Sequence, residues 1–327
     1  MSFGFLSLER VENMEPICFG GLSALPGEKC QGFVPLGPSG SSFPATLIRG
    51  TRPGPVILVS SGIHGSEYVG ILAAMELARS LQPEDVRGTL LLFHPVNRGA
   101  FLRKLSYIEP TLGVNLNRFY PGSPAGPLYE RVCHYMVEEY LSRVDLVVDL
   151  HGGDLHEGTL PYVYVPGVGA PEVLDRAMEA ARLVRADYIV RSAGTTGFYN
   201  YANVRGTPAI LIEWGGAGRW SREEVEACKA DVVNILRRWG SLEGKVQRPP
   251  PARLLTEMSY DYAPCPGVFL PRVEVGQVVH RGQLLAEILD PFGGVSARLE
   301  ARQHGVLLLV WTALGVDTDD PVFIYGE

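Results

Sequence analysis

No apolar run in the sequence approaches the ~20 residues that an α-helix needs to cross a bilayer. The longest, Pro55 to Ser61 and Val306 to Leu314, fall well short, so no membrane association is expected. Cysteine provides no framework either. Cys18, Cys30, Cys133, Cys228 and Cys265 are odd in number, scattered, and contain no C-x-x-C pair. That pattern argues against a disulfide scaffold or a thiolate zinc site, and for reduced thiols in a cytoplasm. Basic charge is also short: 29 Lys and Arg against 36 Asp and Glu leave −7. Such a surface has no basic footprint for nucleic acid or anionic lipid. The stretch Met1 to Pro16 lacks a basic flank, an unbroken apolar core and a small-residue cleavage site, so no secretory leader is expected. What is abundant is core material. Apolar residues make up 46% and charged ones 20% of the 327 residues, which excludes a disordered chain and suggests one large domain plus a smaller one. The partner expected is a small molecule or peptide. The number of subunits is left open, a homo-oligomer included.

After a Gly- and Pro-rich opening of about 50 residues, the first strong signal is PVILVSS, Pro55 to Ser61, a buried strand. It leads through GIHGSE into YVGILAAMELARSL, whose three- and four-residue apolar spacing predicts a helix stopped by Pro83. The alternation continues. Strands are expected at Gly88–Val96, Val144–Leu150 and Pro208–Ile212, and helices at Leu128–Ser142, Pro171–Arg185 and Arg222–Trp239. Continuous apolar strands between amphipathic helices predict an α/β fold with a mainly parallel, mixed sheet covered on both faces. The Pro run in VQRPPPA, residues 246–252, marks a linker between a domain at 1–245 and a small all-β domain at 253–327. Within the latter, VEVGQVVHRGQLLAEI resembles half of a biotinyl or lipoyl hammerhead domain. No lysine follows Lys245 to carry either cofactor, so a structural cap or a wall of the site is expected.

In a parallel sheet, ligands bind beyond the carboxyl ends of the strands. Three such ends carry reactive residues: His64 and Glu67 in GIHGSE, His151 in DLHGG and Glu213 in EWGG. Two histidines and a carboxylate form a catalytic zinc set with one position left to water. His64 and Glu67, three apart, would share a face at the first turn of a helix, while His151 would arrive from a neighbouring strand. Glycines beside His64 and after His151 would allow close approach. Asp149 would orient His151 if the strand runs on regularly to it. His94 is expected to be structural, and His134, His280 and His304 to sit at the surface or in packing. His156 is kept as a further candidate for the site.

H-G-x-E at Gly65 and its neighbours, GVNLNRFYPG from Gly113 to Gly122, DLHGG and EWGG occur in the order found in zinc carboxypeptidase-like hydrolases. More specifically, the chain resembles the succinylglutamate desuccinylase and aspartoacylase family, from about Phe33 to the C-terminal β domain. The resemblance implies a zinc-dependent amidohydrolase that removes acetyl- or succinyl-type groups from small amino acids. His64, Glu67 and His151 would bind one Zn2+ per chain, and Glu213 would act as general base and then acid. Asn117 and Arg118 would hold the substrate carboxylate, for which a guanidinium offers a rigid pair of donors. Zinc lowers the pKa of its bound water to about 7, and a nearby carboxylate can then move the proton to the leaving amine. Many relatives carry an arginine three residues before the proline that precedes N-L-N-R. Here Pro110 fits and Tyr107 takes that place, with Arg103, Lys104 or the Tyr107 hydroxyl as substitutes at the oxyanion. Asn115 stands where relatives often have aspartate, and resembles the branch acting on acetylated diamino acids. The same zinc site and Arg118 would also serve a carboxypeptidase trimming short peptides. A third alternative is a non-catalytic binding protein, to which only Tyr107 points.

Overall fold

The computed structural model describes residues 15–327; most of the stretch read above for a leader lies outside them. A short hairpin, β1 (Ile17–Phe19) and β2 (Leu22–Ala24), precedes the main sheet. That sheet takes β3 (Glu28–Pro35), β4 (Ser42–Arg49), β5 (Arg52–Ser61), β6 (Arg87–Phe93) and β7 (Leu146–His151) from the first half of the chain. A three-residue strand, β8 (Glu157–Thr159), leaves it, and β9 (Tyr162–Pro166), β10 (Tyr188–Ser192), β11 (Ala209–Glu213) and β12 (Arg253–Leu255) complete it. The order across the nine strands is β12-β10-β9-β11-β7-β5-β6-β4-β3. Its centre is parallel: β6, β5, β7 and β11 run the same way, whereas β9 is antiparallel to β11 and β4 is antiparallel to both β6 and β3.

The six helices among the described residues are α1 (Tyr68–Ser80), α2 (Arg98–Arg103), α3 (Leu128–Glu139), α4 (Pro171–Ala181), α5 (Phe198–Arg205) and α6 (Arg222–Arg238). Alternate residues of the central strands face opposite sides, and both sides are covered. Ile57, Val59, Leu90, Leu92, Val148 and Ile212 join the core under α1, α4 and α6. Leu58, Leu91, Phe93, Val147 and Leu211 join the core under α3 and α5. A strand buried on both faces has no polar side to alternate with, which is why these strands read as unbroken apolar runs.

The sequence pattern gave no bounds for several elements of this layer: β3 and β4, which lie in the Gly- and Pro-rich opening, β12, α2, β9, β10 and α5. YVYVP and YIVRS are strands of only five residues, too short for their apolar runs to stand out, and α5, FYNYANVR, has no amphipathic stripe because most of its residues are buried. Residues 246–252 carry no regular structure, but Gln247 is tied to α6 through both amide bonds of Asn234, at 2.7 and 2.9 Å. Beyond them β12 returns to the main sheet as its edge, parallel to β10.

The remaining strands form two antiparallel sheets around their own core: β13 (Met258–Tyr262), β14 (Gly267–Pro271), β15 (Val278–Val279), β16 (Leu284–Leu289), β17 (Val295–Glu300), β18 (Gly305–Trp311), β19 (Gly315–Val316) and β20 (Pro321–Gly326). This module is joined to the main sheet by main-chain pairing. β8 lies antiparallel to β18, placing Glu157 opposite Trp311. Tyr162, Val190, Leu255, Val306 and Leu308 form a small apolar core across the same seam. No helix of the described residues is long and apolar enough to cross a membrane.

Candidate active site

The strands β5, β7 and β11 end side by side, and their next residues meet at one edge. His64 and Glu67 follow β5, His151 closes β7, and Glu213 closes β11 directly opposite His151 in the ladder. His64 does not lie on a helix. It sits in the turn before α1, and Glu67 is the N-cap residue of that helix with non-helical dihedrals, φ −85 and ψ 73. The three-residue spacing therefore converges through a turn rather than along a helix face.

His64, Glu67 and His151 are buried, and their ligand atoms all lie within 4.8 Å of one another. Glu67 Oε1 is 2.7 Å from His64 Nδ1, and Glu67 Oε2 is 3.1 Å from His151 Nδ1. The opposite ring nitrogens face acceptors: His151 Nε2 is 3.2 Å from Asp149 Oδ2, and His64 Nε2 is 3.2 Å from Asn115 Oδ1. β7 does run regularly to His151, so Asp149 and His151 share a face. An oxygen acceptor at each Nε2 fixes the proton there and turns each Nδ1 lone pair toward Glu67. Two lone pairs and a carboxylate then converge on one point, an arrangement that repels itself unless a cation occupies it. Glu67 Oε2 is buried without a hydrogen bond, which fits the same demand. Burial works to raise the Glu67 pKa, yet the two imidazoles beside it prevail and hold it below the usual carboxylate range. Burial alone would lower His151; Glu67 and Asp149 prevail and raise it. These residues fit a divalent metal of the zinc type, with two nitrogens and one carboxylate as donors.

The glycines around the site make room for neighbouring main chain. A Cβ on Gly65 would lie 2.2 Å from Phe101 N, on Gly152 2.2 Å from Trp214 O, and on Gly153 2.2 Å from Glu157 O. They bring the segments that carry the reactive residues into register.

The edge opens into a cavity of about 500 Å³. Glu213, Asn117, Arg118 and Tyr107 all line it; Arg103 and Lys104 do not, because they end α2 with exposed side chains. Burial pushes the Glu213 carboxyl up to about 8, with His151 opposing and Glu67, Glu157 and Asp149 adding to the rise. A cation at the site would pull it back down. Asn117 and Arg118 lie on a short 3-10 turn capped by Asn115, whose Oδ1 accepts from Asn117 N at 2.9 Å. Asn117 Oδ1 accepts from Phe198 N at 2.7 Å, leaving its amide nitrogen for a ligand. The Arg118 side chain makes no ion pair or hydrogen bond among the described residues and is exposed in the cavity.

Tyr107 stands edge-on to His64, ring centroids 5.3 Å apart, and donates its hydroxyl proton to Glu157. Glu157 also accepts from Asp154 N at 2.9 Å, and Asp154 accepts from the Ser66 hydroxyl. The sequence pattern missed this chain of buried carboxylates. Glu157 sits on a three-residue strand too short to show alternation, and the candidate weighed beside it, His156, faces Trp311 on the C-terminal module instead, centroids 5.2 Å apart. His94 is structural, bonded to Thr46 Oγ1 at 3.0 Å, and His280 and His304 pair with each other at 3.1 Å on the β module. The far wall was missed as well. Tyr162, Tyr164 and Tyr199 come from the main layer and Tyr260 and Tyr262 from β13, with the Tyr164 and Tyr260 hydroxyls 3.3 Å apart across the seam.

A mixed sheet with two histidines and a glutamate converging at its carboxyl edge defines an α/β protein with a candidate metal site. Residues 53–238 match the succinylglutamate desuccinylase/aspartoacylase catalytic domain, and the chain belongs to that family. It is 28% identical to the N-alpha-acetyl-L-2,4-diaminobutyric acid deacetylase of Halomonas elongata over 87% of this chain and 85% of that protein. Among solved structures, the product-bound ectoine utilization protein of Ruegeria pomeroyi superposes with a TM-score of 0.82 at 26% identity, covering 96% of this chain and 98% of that one. A succinylglutamate desuccinylase/aspartoacylase of Rhodobacter sphaeroides gives 0.80 at 27% identity, covering 91% and 95%.

Proposed function

We propose that the protein is a zinc-dependent amidohydrolase that removes an acetyl- or succinyl-type group from the nitrogen of a small amino acid, in the cytoplasm. The observation that carries this is the convergence of His64 Nδ1, His151 Nδ1 and the Glu67 carboxylate beside an otherwise uncommitted Glu213, in a cavity holding one free guanidinium. The relative from Halomonas elongata, named for deacetylation of an acyl amino acid, supports the same class. His64, Glu67 and His151 would hold one zinc ion per chain. Bound there, zinc supplies Lewis acidity, which brings the pKa of water near 7 and polarises an amide carbonyl.

The chain's own residues supply the rest. Glu213, opposite His151 in the ladder, takes the proton of the attacking water and returns it to the leaving amine, a role suited to a carboxyl whose surroundings lift its proton affinity. Arg118 and the Asn117 amide hold the α-carboxylate and so fix which amide faces Glu213. Tyr107 packs on His64 and gives its hydroxyl proton to Glu157, so it would serve the oxyanion in place of the missing arginine only by turning that hydroxyl away from Glu157. The β module walls the cavity, which favours small acyl amino acids over the peptides of a carboxypeptidase. Metal analysis of the purified protein, with turnover of a panel of N-acetyl and N-succinyl amino acids and short peptides, tests this. About one zinc per chain and hydrolysis of acyl amino acids alone is expected; peptide hydrolysis would transfer the protein to the carboxypeptidases, and metal without turnover to binding proteins.

A further inference from the structure

Outside the cavity, one pair of metal-ligating side chains is left without a role. His280 directly follows β15 and His304 directly precedes β18, and the antiparallel register of these strands sets Val278 opposite Val306 and Val279 opposite Gly305. One step further along the ladder His280 stands opposite His304, and side chains so placed lie within ~5.5 Å of each other at their Cβ atoms. The two rings meet there. Nδ1 faces Nδ1 at 3.1 Å, with ring centroids 4.9 Å apart and planes inclined at 31°. The main chain on both sides is tied down: Gly282 N donates to Ala301 O at 2.7 Å and Ala301 N to Gln283 O at 2.9 Å, which locks the turn after His280 to the segment before His304. His280 N donates to Gln283 Oε1 at 3.1 Å. Neighbouring side chains are drawn elsewhere, Arg302 to Asp261 and the Tyr260 carbonyl, and Gln303 to the Glu257 carbonyl. Both histidines are exposed, so ions in solution reach them.

We propose that His280 and His304 form a second metal site, on the β module and apart from His64, Glu67 and His151, which takes a divalent transition-metal ion such as Cu2+, Ni2+ or Zn2+ through both Nδ1 atoms. Metal–nitrogen bonds of about 2.0–2.1 Å to two nitrogens 3.1 Å apart subtend roughly 95–100° at the ion, near the cis angle of a square-planar centre and within reach of a tetrahedral one. Without an ion only one of the facing nitrogens can carry a proton, because two N–H groups aimed at each other repel. An ion takes both lone pairs at once. No third His, Cys, Asp or Glu among the described residues lies close enough to join them, so water completes the coordination and the site is weaker than one with three protein donors. Cu2+ should bind tightest by the usual order of divalent ions, and Mg2+ and Ca2+, which demand oxygen donors, should not bind. β15 is the edge of its sheet, and β18 is the strand that pairs with β8. An ion held across them therefore clips the free edge to the strand that joins the module to the main layer, and loading stabilises the module.

The test titrates the purified full chain, with any metal it retains left in place, with Zn2+ and with Cu2+, on the wild type, His280→Asn and His304→Asn. Equilibrium dialysis of the wild type is expected to show one further ion per chain with micromolar affinity. Each variant should lose about tenfold or more of that affinity, because a lone imidazole keeps one of the two bonds. Copper at this site should give the electron paramagnetic resonance pattern of two equatorial nitrogens in the wild type and of one in either variant. With the site saturated, the thermal midpoint should rise by a few degrees in the wild type and stay in place in the variants. Neither histidine lines the cavity, so at low metal the three proteins should turn over acyl amino acids alike. No further ion in the wild type up to millimolar metal, or the same ion bound equally by the variants, overturns the proposal and leaves the pair as a hydrogen bond. The comparison needs no turnover, so its outcome stands apart from that of the deacylase function.

Discussion

The two walls of the cavity are made in different ways. On the main-sheet wall, His64, Glu67 and His151 are all under 10% exposed, and each is fixed by a neighbour that is itself on a strand end or a capped turn. On the β-module wall, Tyr260 and Tyr262 are 40% and 53% exposed, and a hydroxyl contact joins Tyr260 to Tyr164 across the seam. Preorganisation is therefore concentrated where bonds would break, because a reacting geometry tolerates little displacement. Selection of the side chain needs complementarity but less precision, and a separate module can vary for it without disturbing the sheet.

If that contrast holds, substitutions on the two walls should differ in kind as well as size. The largest effect is expected at His151→Ala, which removes one of three protein donors; metal content should drop below a tenth of wild type and activity with it. Full metal occupancy in that variant would break the comparison outright, because the buried wall would then not be a metal site. Arg118→Lys comes next. Charge is kept but the paired donors are lost, so kcat/KM on acyl amino acids should fall roughly 10- to 100-fold, with metal content unchanged. A wild-type value across the substrate panel would make Arg118 a bystander. The smallest effect belongs to Tyr260→Phe on the far wall, which removes the hydroxyl facing Tyr164 and keeps the ring. A change in KM of no more than about threefold is expected, about what one part-exposed hydrogen bond contributes. A large fall in kcat there would mean that the module reaches into the reaction centre.

The same contrast explains what the sequence made legible. β5, β7 and β11 are buried on both faces, so each appears as an apolar run that ends at the sheet edge; His64, Glu67, His151 and Glu213 stand out at or just beyond those ends because they combine metal-ligand and acid-base residue types there, beside glycines. Asp149 could be paired with His151 because a regular strand fixes which side chains share a face. Position on α2 could not be read in the same way, and Arg103, attractive by spacing, is exposed and does not line the cavity. Glu157 and the tyrosine wall were illegible for a different reason. Their places depend on β8 pairing with β18, which lies some 150 residues later in the chain, and on the hydroxyl contact between Tyr164 and Tyr260. Neither leaves a local periodic signal.

The central claim is that a carboxyl at Glu213 moves the proton while three other residues hold the metal, and Glu213→Gln addresses it most directly. Glutamine keeps the size and most hydrogen bonding but cannot accept a proton from water. Zinc content and kcat, measured on the same preparation, should show near-normal metal with turnover reduced by about 10²- to 10⁴-fold, the usual scale for a general acid-base group. Turnover close to wild type, or loss of the metal together with activity, would contradict the assignment.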